Sequence, residues 1–197
     1  MTRIKTLMNR TFLPSLALLF LVTLFGGCSG YGPQENLGEN YYFRKTTKFG
    51  VILYSQVSDQ STNRIFMKKA DFDSPGLGYT SYIAHPFRTP MISTENYQGN
   101  VSSIALPEDD YQLYRWQLQK GSTVLQGEYW EADFHVKAQH IIYLGRFIMH
   151  RKDNQTWLEV EDHLEEDLKM LEAQSPKLIG VPLIKHLAPS VPLQESP

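Results

Sequence analysis

The chain has a single cysteine, Cys28, among its 197 residues. One cysteine excludes an intramolecular disulfide, and it excludes any zinc or iron–sulfur site that needs several cysteine ligands from this chain alone. The sequence also lacks a Gly-x-Ser-x-Gly nucleophile elbow, a His-Glu-x-x-His helix and a glycine-rich phosphate loop. We therefore predict a protein that is not an enzyme and that carries no cofactor and no metal.

Positive charge is scarce after the N-terminal segment. Residues 1–27 hold three of the 19 basic residues and none of the 21 acidic ones, so 16 basic residues remain against 21 acidic ones. An acidic surface repels nucleic-acid phosphates and anionic lipid headgroups, and no Lys/Arg cluster stands out that would override this locally. The composition therefore predicts no nucleic-acid partner.

The N-terminus has the proportions of a cleaved signal peptide. Residues 1–10 contain Arg3, Lys5 and Arg10, and residues 12–25 form the apolar run FLPSLALLFLVTLF. A permanent membrane-spanning helix needs about 20 apolar residues, which is more than this run supplies. Gly26 and Gly27 are small enough for a cleavage site. We therefore predict a signal peptide over residues 1–27.

The residues around the predicted cleavage site are Leu24, Phe25, Gly26, Gly27 and Cys28. This segment resembles the lipobox of bacterial lipoproteins, although leucine is usual where Phe25 stands. The resemblance implies a diacylglycerol on the Cys28 sulfur and an acyl chain such as palmitate on its amino group, which together form a durable membrane anchor. Ser29, rather than Asp, follows the cysteine. In the enterobacterial sorting pattern this implies the outer membrane, with the protein facing the periplasm.

The segment after the signal peptide divides into a tether, one domain and a tail. Residues 28–40 are rich in Gly, Pro and polar side chains and predict a lipidated, flexible tether. A hydrophobic content of 42% supports one globular domain, which we place at residues 41–187. Residues 188–197 contain three prolines and predict a flexible tail.

The domain shows the sequence pattern of β-strands. Short runs rich in aromatic and β-branched residues alternate with Gly, Pro, Asn and Asp. The predicted strands are 49–57, 64–69, 79–84, 101–106, 111–119, 128–136, 141–150 and 156–160. Seven or eight short strands favour a mainly β fold, an antiparallel β-sandwich, with a small barrel as the alternative.

One C-terminal amphipathic helix is predicted over residues 163–173. Leu164, Leu168 and Leu171 form an apolar stripe that should pack against the sandwich. Asp162 and Glu165 have the spacing of a capping box, and Pro176 should end the helix. Residues 178–187 are expected to add an edge segment.

Two short motifs and the acidic helix carry a second resemblance. Leu106-Pro107 leads into a strand with Tyr111, and Tyr143-Leu144-Gly145 ends a predicted hairpin. These features resemble bacterial lipoprotein families of uncharacterised function that have a transthyretin-like (prealbumin-like) or carboxypeptidase-regulatory-like β-sandwich. The resemblance implies a fold rather than an activity.

Two groups of residues suggest metal sites, and neither has the spacing of a known one. Glu108, Asp109 and Asp110 supply carboxylates for calcium, which needs six to eight oxygen ligands. Adjacent carboxylates at a turn are usually just solvated. His135 and His140, together with His85 or His150, supply imidazoles for zinc or copper, but lone histidines are more often surface or hydrogen-bonded residues. We predict no metal at either place.

The aromatic residues leave the function open. Trp116, Trp130 and Trp157 accompany eleven tyrosines, and an exposed aromatic face suits stacking against sugars. The simpler interpretation is that these rings fill the core. We therefore expect a membrane-anchored, non-enzymatic envelope lipoprotein that contacts another envelope protein, with a periplasmic glycan-binding module as the alternative.

Overall fold

The computed structural model of the chain describes residues 34–35, 37–59, 62–71, 79–83, 90–120, 122–126, 130–152 and 155–192. Cys28, His85 and the predicted signal peptide lie outside these residues. The described part of the chain is mainly β, as predicted, and forms two sheets and one α-helix.

The described strands are numbered in chain order. They are β1 (Gln34–Glu35), β2 (Phe49–Ser58), β3 (Thr62–Lys69), β4 (Tyr79–Ile83), β5 (Ile92–Ser93), β6 (Gln98–Pro107), β7 (Asp109–Lys120), β8 (Thr123–Gln126), β9 (Ala132–Val136), β10 (Ile141–Lys152), β11 (Gln155–Glu161) and β12 (Leu183–Lys185). Helix α1 (Leu164–Gln174) and a 3-10 helix (Pro176–Leu178) follow β11. The predicted strands all overlap described ones. β1, β5, β8 and β12 are only two to four residues long, which is too short to show an alternating pattern.

The larger sheet has the spatial order β1-β6-β2-β10-β11, with β5 beside β6 and β12 beside β10. The smaller sheet has the order β4-β3-β7-β8, with β9 also beside β7. In β9, buried and exposed residues alternate, so this strand has one solvated face.

The pairing is not wholly antiparallel, which differs from the predicted sandwich. β10 runs parallel to β2 and to β12. Between β2 and β10 the chain passes through the smaller sheet and returns at the end where β2 begins, where the Val51 N–H donates to the His140 carbonyl at 2.9 Å. After β11, helix α1 carries the chain back to the start of β10. Such crossover connections give parallel neighbours.

Two hydrophobic clusters define the layers. One contains side chains from both sheets, among them Ile52 and Phe147 of the larger sheet and Ile65 and Trp116 of the smaller one. The other covers the opposite face of the larger sheet and includes Leu171 of α1. The layers are therefore helix, larger sheet and smaller sheet, an arrangement that is consistent with a sandwich.

Helix α1 packs as predicted, whereas its predicted cap is different. Leu171 is fully buried, and Leu164 and Leu168 pack partly buried against the same cluster. Asp162 Oδ1 accepts a hydrogen bond from the Leu164 N–H at 3.3 Å. The capping residue is His163, whose side chain makes no capping hydrogen bond. The capping box is not formed because Asp162 precedes the capping position and pairs with Lys185.

The N-terminal edge of the folded domain lies earlier than the sequence predicts. Gln34 and Glu35, inside the predicted tether, pair with Ala105 and Ile104 of β6. Leu37 is 1% exposed, and its N–H donates to Ser103 Oγ at 3.1 Å. The segment was predicted to be a flexible tether because its composition is polar, and its single buried leucine gave no recognisable pattern.

The predicted tail also packs on the domain over residues 188–192. Ala188 is buried in the core between the sheets. Pro189 accepts a hydrogen bond from Trp130 Nε1 at 3.0 Å, and Val191 bridges Leu158 of β11. The prolines of this C-terminal segment suit its irregular, extended path along the domain.

Candidate functional site

A cluster of buried polar side chains lies where α1 crosses the larger sheet. Its centre is Asp167 of α1, whose side chain is 0% exposed. Asp167 accepts hydrogen bonds from Arg146 Nη2 at 2.5 Å, Ser55 Oγ at 2.6 Å and the Tyr143 hydroxyl at 3.0 Å. Arg146 Nε donates to Ser55 Oγ at 3.1 Å. We call Ser55, Tyr143, Arg146 and Asp167 the buried network.

The charges of the buried network are matched. The Asp167 carboxylate lies against the Arg146 guanidinium, whose side chain is 8% exposed. Arg146 also donates from Nη1 to Glu166 Oε2 at 3.1 Å, and Glu166 is exposed to solvent. A buried charge is tolerated only when it is paired and hydrogen-bonded. The network meets this requirement because its side chains form an ion pair and hydrogen-bond to one another.

A β-bulge in β10 brings Arg146 to the helix side of the sheet. The register between β10 and β2 shifts between Tyr143 and Gly145. Tyr143 belongs to the helix-side cluster, and Leu144 and Phe147 belong to the cluster between the sheets. In a regular strand, side chains three residues apart point to opposite faces. The bulge therefore lets both Tyr143 and Arg146 reach Asp167.

His163 closes the network at the start of α1. Its backbone N–H donates to the Tyr143 hydroxyl at 3.0 Å, and its ring Nε2 lies 2.8 Å from Glu161 Oε2. A depression of about 340 Å³ beside it is lined by Asp162, His163, Leu164, Glu165, Glu166 and Lys185. Asp162 and Lys185 pair with each other there. The rim of the depression therefore consists largely of groups that are already paired.

The network shifts two pKa values in opposite directions. Burial raises the pKa of Tyr143 above its ordinary value of 10.0, and the charge of Asp167 adds to the rise. The hydrogen bond from Arg146 lowers the pKa of Glu166. The phenol thus remains a neutral donor and the Glu166 carboxylate an anion at neutral pH. Structural ion-pair networks shift pKa values just as catalytic sites do, and the internal pairing favours the structural role.

A second polar group lies between the two sheets. Gln56 of β2 is 0% exposed and Asn63 of β3 is 2% exposed. Gln56 follows Ile52 and Tyr54 on the face that points to the smaller sheet. Both amide atoms of Gln56, Asn63 Oδ1 and Trp116 Nε1 find no hydrogen-bond partner among the described residues. Such atoms reduce stability, because they lose their hydration without compensation.

Replacing Gln56 by Met is therefore expected to stabilise the domain, by about 1–2 kcal/mol. Methionine has a similar volume and removes both unpaired amide atoms. Urea unfolding followed by circular dichroism measures the change, and Gln117→Met, at a partly exposed position of β7, is the control. A destabilised Gln56→Met variant, with the control unchanged, would contradict the conclusion that the unpaired amide reduces stability.

The three carboxylates that were considered for calcium have separate partners. Asp109 pairs with Lys69 at 2.5 Å and Asp110 with His135 at 2.8 Å. The hydrogen bond from Lys69 lowers the pKa of Asp109. Glu108 Oε1 accepts a hydrogen bond from the Ala138 N–H at 3.4 Å. The three carboxylates are thus engaged by different groups.

The histidines considered for zinc or copper are also separated by their partners. His135 bonds to Asp110, and His140 Nδ1 donates to the Ala138 carbonyl at 2.7 Å. His150 lies between the Tyr97 hydroxyl at 2.9 Å and Glu159 at 3.0 Å. Within the described part of the chain, no three His, Cys, Asp or Glu side chains are grouped to hold a metal ion.

Two of the three tryptophans are core residues. Trp116 is 0% and Trp130 3% exposed, as the simpler interpretation of the aromatic residues predicts. Trp157 is partly exposed and stacks on His150, with 4.8 Å between ring centroids and 9° between planes. The Tyr97 ring packs edge-on against His150, with 5.6 Å between ring centroids. Trp157, His150 and Tyr97 form what we call the aromatic cluster.

Sequence reasoning did not identify the buried network, although a signal for it was present. Asp167 lies three residues after Leu164 and four before Leu171, and it is therefore on the apolar stripe of the helix. An acid on a buried stripe requires a buried cation. Arg146 interrupts an otherwise uncharged run from Ile141 to Met149, which marks it as the candidate partner.

Comparisons with known proteins add no relative: no family model matches the chain, and no curated protein or solved structure is significantly similar to it. Among the described residues, no helix is long and apolar enough to cross a membrane.

Proposed function

We propose that the chain is an envelope lipoprotein held on a membrane by lipid on Cys28. Its β-domain serves as a non-enzymatic structural or adaptor domain that contacts another envelope protein. The observation that carries the proposal is the segment Leu24–Cys28, which lies at the end of a signal-like apolar run; its cysteine is six residues before β1. We place the protein in the outer membrane, facing the periplasm, because Ser29 follows the cysteine.

The buried network supports a structural role for the domain. It joins β2, β10 and α1 through four side chains that bond to one another. An enzyme active site normally keeps a donor, an acceptor or a nucleophile available to its substrate. The network instead fixes one position of the helix on the sheet, as a domain that presents a constant surface requires.

We further propose that the fold is a variant of the transthyretin-like or carboxypeptidase-regulatory-like sandwich. Two structural details support this, one in each of the sequence motifs that carry the resemblance. The buried Tyr111 hydroxyl donates to the Pro107 carbonyl at 3.1 Å, which resembles the tyrosine corner of β-sandwiches. Tyr143, Leu144 and Gly145 form the bulge that shapes the network. The parallel pairing of β10 is the departure from a wholly antiparallel sandwich.

Crosslinking in living cells tests the adaptor function. Cells producing the native chain are compared with cells producing Cys28→Ala, and Ser29→Ala, which keeps the cysteine, is the control. We expect covalent protein partners for the native and Ser29→Ala chains that are lost in Cys28→Ala. The absence of any protein partner for the native chain would contradict the adaptor function.

The aromatic cluster favours glycan binding as the second candidate function. Because Trp116 and Trp130 are buried, acrylamide quenching should report mainly on Trp157, and Trp157→Phe should lower the quenching constant severalfold. If the cluster binds glycan, soluble cell-wall glycan fragments will protect the native protein from quenching. Equal quenching with and without these fragments would remove this candidate.

A further inference from the structure

A basic surface lies at one end of the domain. Arg44, Lys45 and Lys48 are exposed in the loop before β2, and Lys137 is exposed after β9. Gln139 Nε2 donates to the Lys45 carbonyl at 3.1 Å, which joins this loop to the turn between β9 and β10. We call these four basic side chains the basic end. The fold thus gathers a cluster of positive charge that the composition did not indicate.

The charges of the basic end are not neutralised by ion pairs. Among the described residues, no salt bridge involves any of the four side chains. The nearby acids Asp109 and Asp110 pair with Lys69 and His135 instead. Glu108, in the turn after β6, is a further acid nearby, and its N–H donates to the Lys48 carbonyl at 2.7 Å. The end therefore carries net positive charge on a chain that is otherwise acidic.

The chain enters the domain at this same end. Gln34 pairs with Ala105 and Glu35 with Ile104, antiparallel to β6. β1 therefore begins on the side of Pro107, the last residue of β6, which pairs with Phe49. Phe49 directly follows the basic loop. Cys28 precedes Gln34 by six residues, and six residues span at most about 20 Å.

We propose that the basic end rests on anionic phospholipid headgroups of the membrane that holds the lipid on Cys28. This proposal rests on the lipid anchor of the proposed function. The short connection keeps the basic end close to the bilayer, and charge complementarity sets which face turns toward it. Each basic residue near an anionic surface strengthens association roughly fivefold. The acidic remainder of the domain is repelled and faces away from the lipid.

Lysine footprinting on vesicles tests this orientation. The mature chain, residues 28–197, is coupled through its single cysteine to a maleimide lipid and placed on vesicles of phosphatidylcholine, with or without phosphatidylglycerol. Acetylation is then measured by mass spectrometry. We expect labelling of Lys45, Lys48 and Lys137 to fall by about fivefold on the anionic vesicles. Lys152, at the far end of β10 and about 36 Å from its start, should be labelled equally on both.

Two charge-matched variants complete the test. Lys45→Gln/Lys48→Gln should restore labelling of Lys137, whereas Lys152→Gln/Lys169→Gln should not. Equal labelling of the basic end on both kinds of vesicle, or protection of Lys152 instead, would overturn the proposal. The synthetic lipid separates this result from the anchor itself, because an unmodified Cys28 in cells would refute the proposed function without changing the footprint.

Discussion

Replacing Asp167 by Ala is expected to destabilise the domain by about 3–5 kcal/mol. The carboxylate is 0% exposed and lies 2.5 Å from Arg146 Nη2. Its removal leaves the Arg146 charge buried with only the solvent-exposed Glu166 beside it. Ser55 and Tyr143 lose their acceptor at the same time. A loss of this size is a large part of the stability of a typical domain.

Urea unfolding of three further variants shows where this effect comes from. Glu166→Ala removes only the exposed partner of Arg146 and should cost less than about 1 kcal/mol. Arg146→Met/Asp167→Leu removes both buried charges and should be more stable than Asp167→Ala, because no unpaired charge remains. If Asp167→Ala and Glu166→Ala had the same small effect, the network would not hold the helix on the sheet.

Replacing Gly145 by Ala is expected to destabilise the domain by about 3–4 kcal/mol. Gly145 has a φ of +109°, and a Cβ at this position would lie 2.6 Å from Val160 Cγ1. The backbone conformation and the contact with β11 both oppose a side chain. The bulge that turns Arg146 toward Asp167 would be disturbed as well.

Gly180→Ala is the matched control for this prediction. Gly180 also has a positive φ, +78°, but a Cβ there would meet nothing within 4 Å. It should cost only about 1 kcal/mol from backbone strain. Thermal unfolding of both variants separates strain from steric contact, and equal losses would contradict the close packing of β10 against β11.

The strands and the helix were predictable because they depend on local patterns. Leu164, Leu168 and Leu171 predict both the helix and its buried face, and the alternation around Phe134 predicts a half-buried strand. The direction of β10 was not predictable, because it depends on how the chain crosses between the sheets. The burial of Leu37 was not predicted either, because a single apolar residue in a polar segment forms no periodic hydrophobic pattern.

The buried network shows a different limit. The sequence analysis of the helix did not single out Asp167, although its position on the apolar stripe indicated burial. Its partner Arg146 is 21 positions away along the chain. The local sequence pattern predicts that a buried carboxylate needs a cation beside it. Which cation reaches it depends on the bulge at Gly145, which the local pattern does not predict.

The basic end was missed because net charge averages over the whole chain. Three of its residues are close in sequence, at positions 44, 45 and 48. They form a membrane-facing surface only because Lys137 lies beside them and because β1 begins at the same end of the domain. Both facts come from strand pairing rather than from composition.

The most direct test of the account is the mass of the N-terminal peptide of the protein purified from bacterial membranes. We predict a peptide that begins at Cys28 and carries a diacylglycerol on its sulfur, with or without an acyl chain on its amino group. A peptide with an unmodified Cys28, or a chain that still carries residues 1–27, would contradict the claim that this is a lipid-anchored envelope protein.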